Sequence, residues 1–117
     1  MPLVTQEVIP AFSKISSRSK MTLEELYKVI LTRKKTLPKN SYVASLLKKG
    51  RDHIIQKVGE EATEVVIAAK NRTKEKIISE VADLWFHTLI LLADREITIS
   101  EILSELEKRK SIRKKES

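Results

Sequence analysis

The sequence predicts an all-α fold of about five helices, and three observations carry that prediction. Only 2 Gly and 3 Pro occur in 117 residues, so the residues that make turns and break helices are scarce. Apolar side chains recur at intervals of three and four over most of the chain, the period of one helical face. Two Thr-x-x-Glu patterns, Thr22 with Glu25 and Thr98 with Glu101, mark helix starts by reciprocal capping, and no run alternates convincingly as a strand.

Residues 1–20 hold Pro2, Pro10 and a Ser/Lys-rich run, and are read as an extension ahead of a domain spanning 21–110. After Thr22, the spacing of Leu23, Leu26, Tyr27 and Ile30 predicts a helix reaching Arg33. Pro38 and Asn40 break it, and Ser41 then caps a short helix that stops at Gly50. From Asp52 to about Asn71, Ile54, Val58, Ala62, Val65 and Ala69 keep helical spacing. Gly59 lies inside this helix despite a cost of ~1 kcal/mol, which suggests close approach of another helix. Thr73 caps a helix to about Asp94 that is apolar nearly all round, as a central helix would be. Ile102, Leu103 and Leu106 define a final amphipathic helix, followed by a basic tail at 111–117.

A chain of this length is one domain, large enough to bury a core and small enough for a partner subunit to complete it. The absence of Cys excludes disulfides and thiolate zinc sites. No segment approaches the ~20 apolar residues needed to span a bilayer, and the start lacks a secretory pattern, so a soluble cytoplasmic protein is expected, with no membrane partner. The net charge of +7 sits at the two ends: residues 21–106 carry 14 basic against 13 acidic side chains. A nucleic-acid reader would be expected to place its charge on a folded face, so nucleic acid is not the expected partner.

The chemistry lies in two acidic segments. At 100° per residue, Lys57, Glu60, Glu61 and Glu64 share one arc that borders the apolar face of their helix. On the next helix Glu80, Asp83 and His87 form a stripe that also contains Leu84 and Leu91, so acids are interleaved with residues that should be buried. Buried carboxylates cost several kcal/mol unless paired, protonated or bound to a cation. Pairs at i and i+3 on two antiparallel helices would present four oxygen ligands, Glu61, Glu64, Glu80 and Asp83, to magnesium, with manganese as a possible substitute. A single Glu-x-x-Glu is commonplace on solvated helices; a pair of acidic motifs, Glu61-x-x-Glu64 and Glu80-x-x-Asp83, on successive helices with the second on an apolar face is not. A carboxylate-bridged di-iron bundle needs Glu-x-x-His twice, and neither His53 nor His87 has Glu three residues before it.

The runs Ser41-Tyr42-Val43-Ala44-Ser45-Leu46, Gln56-Lys57-Val58-Gly59-Glu60-Glu61-Ala62-Thr63-Glu64 and Glu80-Val81-Ala82-Asp83-Leu84-Trp85-Phe86-His87 resemble the phosphoribosyl-ATP pyrophosphatases over roughly residues 23–110. That family lies within the all-α nucleotide pyrophosphatases, the MazG-like superfamily. The resemblance implies a MazG-like bundle completed by dimerisation. It implies hydrolysis of phosphoribosyl-ATP to phosphoribosyl-AMP and pyrophosphate, the second step of histidine biosynthesis. It also implies a metal on Glu61, Glu64, Glu80 and Asp83, with Glu60 beside them. In the expected mechanism Glu60 serves as base or further ligand and Lys57 neutralises developing charge. Arg33, Arg51 and Lys70, with Lys48, Lys49 and Arg72, are candidates for the phosphates; Ser41, Tyr42 and His87 are expected beside the substrate, with His87 alternatively orienting Asp83 or standing as a satisfied core residue on its apolar helix. Trp85-Phe86 departs from the family's usual aliphatic residue and Tyr, removing a phenol, and the first twenty residues have no counterpart there. The rival readings are a house-cleaning nucleoside triphosphate pyrophosphatase of the same superfamily and a non-enzymatic helical interaction module.

Overall fold

A computed structural model of the chain describes residues 20–116, with side chains through Lys110; the extension expected at 1–20 therefore lies outside the described residues except for Lys20. Five helices follow in order: α1 (Leu23–Thr36), α2 (Tyr42–Lys49), α3 (Arg51–Asn71), α4 (Lys74–Asp94) and α5 (Ile99–Glu116). The all-α expectation holds, and the expected starts hold because the caps do. Thr22 and Glu25 form a complete capping box; Ser41 Oγ accepts the Ala44 N–H at 3.0 Å and Thr73 Oγ1 the Lys76 N–H at 3.3 Å. Thr98 and Glu101 bond reciprocally in the same way.

Two boundaries differ from expectation. α1 runs one turn past Arg33, because Lys34 and Lys35 are good helix formers at a C-terminus, and stops where Leu37 turns left-handed with φ 48°. α5 continues through Glu116, so the backbone of the expected basic tail is helical to that residue. Its Lys, Arg and Glu content has high helix propensity. Gly50, with φ 106°, joins α2 directly to α3; there a side chain would be strained.

The two-residue link Arg72-Thr73 folds α3 back on α4, and the pairing of Arg51 with Asp94 at 2.8 Å ties the far ends together, which only an antiparallel hairpin allows. α3 and α4 make the most extensive contact in the bundle, with α2 lying on both and α1 on α2 and α4. Ile30, Val43, Leu46, Ile54, Ile90 and His87 are fully buried where these four helices meet. The α4–α5 turn is fastened to α1: Tyr27 donates its hydroxyl to the Ile97 carbonyl, and Lys34 Nζ donates to the Ala93 carbonyl at 2.8 Å.

The arc of α3 expected to be core is only half covered. Val58, Ala62 and Val65 are partly buried and Ala69 is exposed, with Ile55, Val66 and Ile67 exposed beside them. Across the hairpin Ile78 and Trp85 are exposed at 58% and 53%, so α4 is not buried all round in the single chain. Among the described residues Gly59 does not mark a helix contact, since an added Cβ would meet nothing within 4 Å. Among the described residues, no helix is long and apolar enough to cross a membrane.

Candidate active site

The hairpin brings the two acidic segments to one height. Glu61 lies as far before the α3–α4 link as Asp83 lies after it, to within one residue, and Glu80 is one turn from Asp83 on the same stripe. Glu61, Glu80 and Asp83 each offer an oxygen within 4.8 Å of the others, and all three are buried, at 4%, 6% and 3% exposure. Three converging carboxylates out of water are unfavourable twice over, through lost hydration and through mutual repulsion. The strain shows on Glu61, whose carboxyl is pushed above its usual range first by burial and then by the neighbouring Asp83. Two lysines offset part of the charge: Lys57 Nζ is 3.8 Å from Glu61, and Lys76 Nζ is 3.0 Å from Glu80. A hard divalent cation suits this all-oxygen donor set.

The expected acids divide here. Glu64 lies level with Glu80 but is exposed, outside the trio. Glu60 is also outside it, held by Gln56 at 3.0 Å and Lys57 at 3.5 Å; the Gln56 hydrogen bond leads in pulling its carboxyl below the usual range. A depressed pKa makes a weaker base, so this arrangement suits Glu60 to anchoring Lys57 better than to accepting a proton.

The expected substrate contacts are spread further. Arg51 pairs with Asp94, and Lys70 is exposed in the last turn of α3; at 1.5 Å per residue both lie roughly 14 Å along the helix from Glu61, in opposite directions. Arg33 is half-buried in the last turn of α1, and Ser41 is buried as the α2 cap. His87 is fully buried with both ring nitrogens engaged, Nε2 on the Tyr42 hydroxyl at 2.8 Å and Nδ1 on the Asp83 carbonyl at 2.8 Å. Burial leads in holding its pKa below the usual value, so the ring is neutral near pH 7. Both nitrogens are thus taken up within the bundle, as in a satisfied core histidine, and the contact with Asp83 is to its backbone carbonyl. Sequence reasoning passed over Lys76 and Gln56, although each sits at i,i+4 from the acid it engages, Glu80 and Glu60, and that spacing was the available signal.

The family model for phosphoribosyl-ATP pyrophosphohydrolase matches residues 23–110, which takes in α1 to α4, most of α5 and every acid discussed above. The chain belongs to the phosphoribosyl-ATP pyrophosphohydrolase family. Relatives named phosphoribosyl-ATP pyrophosphatase agree. The protein from Trichlorobacter lovleyi is 58% identical over 87 residues, covering 74% of this chain and 81% of the relative. Those from Geobacter sulfurreducens and Pelobacter propionicus are 53% and 49% identical over the same shares. Within the phosphoribosyl-ATP pyrophosphohydrolase match, Glu61, Glu80 and Asp83 are the acids that the α3–α4 hairpin buries.

Proposed function

We propose that this chain hydrolyses phosphoribosyl-ATP to phosphoribosyl-AMP and pyrophosphate, the second step of histidine biosynthesis, at the site built on Glu61, Glu80 and Asp83. The observation that carries the site is the burial of all three carboxylates with oxygens within 4.8 Å. Membership of the family and the names of its relatives support the substrate.

Glu61, Glu80 and Asp83 would hold magnesium, or manganese in its place, with Glu64 able to reach in from the exposed side. The metal when bound supplies Lewis-acid polarisation of phosphate oxygens and a more acidic water. The protein's own part is to hold the triphosphate against the trio and to balance the charge that develops there. Lys57, only 16% exposed and braced by Glu60, is the cation best placed to do so from α3. Arg51 and Lys70 lie farther out along α3, where they would steer the nucleotide electrostatically more than grip the reacting phosphates, and Arg33 on α1 is a further candidate for the phosphates.

The same proposal includes a homodimer in the cytoplasm. Ile55, Val66 and Ile67 on α3, with Ile78 and Trp85 on α4, leave apolar side chains uncovered on one hairpin, and a second copy covering them would complete the core. Wild-type protein is expected to sediment as a dimer, and Trp85→Glu to shift it to monomer; a monomeric wild type at micromolar concentration would refute this part.

Substrate identity is tested by following pyrophosphate release with magnesium from phosphoribosyl-ATP, ATP and dUTP in parallel. Phosphoribosyl-ATP is expected to be cleaved at least about a hundredfold more efficiently, the equivalent of ~2.7 kcal/mol of selective binding. Comparable rates on all three would point to the house-cleaning activity, and no hydrolysis of any to an interaction module.

A further inference from the structure

We propose that Tyr42 and His87 are positioning residues: a clamp from α2 that fixes the rotation of α4 and so aims Asp83 and Glu80 at Glu61. The inference rests on the metal-site reading above and adds to it a role for two side chains outside the carboxylate trio.

The clamp is built from fixed parts. Tyr42 opens α2, which is seated by Val43, Ala44 and Leu46, each no more than 1% exposed, and whose first turn is capped by Ser41. His87 is 0% exposed, and its two nitrogens bridge the Tyr42 hydroxyl and the Asp83 carbonyl, both at 2.8 Å. The carbonyl can only accept, so Nδ1 carries a proton and donates to it. In the neutral ring Nε2 is then the acceptor, and the Tyr42 O–H donates to it. The bridge ends on the residue that carries one of the three converging carboxylates. Phe86 closes the cluster, its ring 6.5 Å from that of Tyr42 and 5.8 Å from that of His87.

Rotation is the degree of freedom that matters. A carboxylate oxygen stands about 5–6 Å from its helix axis, so a turn of only about 5° displaces it by about 0.5 Å, the tolerance of a preorganised site. α4 carries two of the three carboxylates, and a hydrogen-bonded bridge from a second helix at the level of Asp83 resists that turn. A substrate-contact role would instead need one of the ring nitrogens of His87 to be free and exposed, and both are engaged.

The test is calorimetric titration of the full chain with manganese alone, alongside nucleotide kinetics at saturating metal. Tyr42→Phe removes one oxygen and the bridge, and His87→Asn keeps a donor near the Nδ1 position but loses the Tyr42 partner. Each is expected to weaken manganese binding about tenfold, in the range seen when a partner that orients a metal ligand is lost, with KM for phosphoribosyl-ATP changed less than twofold. Ile30→Val, a buried change on α1, lowers the melting temperature without this loss of affinity and so controls for simple destabilisation. Unchanged manganese affinity in Tyr42→Phe, with binding still lost in Asp83→Asn, would overturn the clamp and leave the site standing. A raised KM with unaltered metal affinity would make Tyr42 a substrate contact and likewise overturn it. Failure of the wild type to bind manganese would remove the site reading and the clamp together.

Discussion

Asp83→Asn is expected to lower turnover of phosphoribosyl-ATP by more than about a hundredfold while the helical fold survives. Loss of a partner that merely orients a metal ligand typically costs 10–100-fold, and Asp83 is proposed as a ligand itself, so about a hundred is a lower bound. The fold should survive because Asp83 shares a buried trio with two like charges, Glu61 and Glu80, and the amide keeps its shape while lessening that repulsion. Steady-state kinetics paired with far-ultraviolet circular dichroism check both halves. Near-wild-type turnover would remove Asp83 from the machinery, and loss of helicity would make it structural.

Glu61→Gln should move activity and stability in opposite directions. Burial and then Asp83 raise the Glu61 carboxyl above its ordinary 4.5, so the folded chain holds this proton more tightly than the unfolded chain does. For a raised acid the associated stability is present below the unfolded pKa and is lost as pH rises through the folded value. Near pH 7, without metal, the ionised Glu61 therefore weakens the fold, with Lys57 at 3.8 Å offsetting part of the cost. The amide removes that cost, and a gain of about 1 kcal/mol would raise the melting temperature by about 4–8 °C in a domain of this size. The gain should vanish near pH 4, where the wild-type carboxyl is itself protonated, and hydrolysis should be largely lost at every pH. Melting curves of metal-free protein across that range are the check; a lower melting temperature at pH 7 would show Glu61 to be a net stabilising ion-pair partner.

Much of this was legible in the sequence, for identifiable reasons. Helix starts were readable because they are local chemistry: Thr22 with Glu25, Ser41, Thr73, and Thr98 with Glu101 bond within one turn. The burial of two acids was readable because Glu80 and Asp83 interrupt an apolar stripe, and both are buried in the structure. Less legible was whatever depends on facing elements. Periodicity placed Glu61 and Glu64 on one arc, yet the 60° between them puts one inside the trio and the other in solvent. Arg51 has a basic residue's usual ambiguity in one dimension, and its engagement with Asp94 emerges only from the antiparallel hairpin. The half-covered faces of α3 and α4 likewise look like core in sequence, because the side chains carry the pattern of burial whether their cover comes from the same chain or from another.

The central claim is that buried Glu61, Glu80 and Asp83 hold a divalent cation, and the melting temperature as a function of magnesium concentration tests it most directly. A ligand that binds the folded state alone stabilises it by about 2.7 kcal/mol at a hundred times its dissociation constant, so the wild-type melting temperature should climb steadily with millimolar magnesium. Asp83→Asn and Glu61→Gln should show little or none of that climb. A wild type that ignores magnesium, or variants that climb in parallel with it, would contradict the claim.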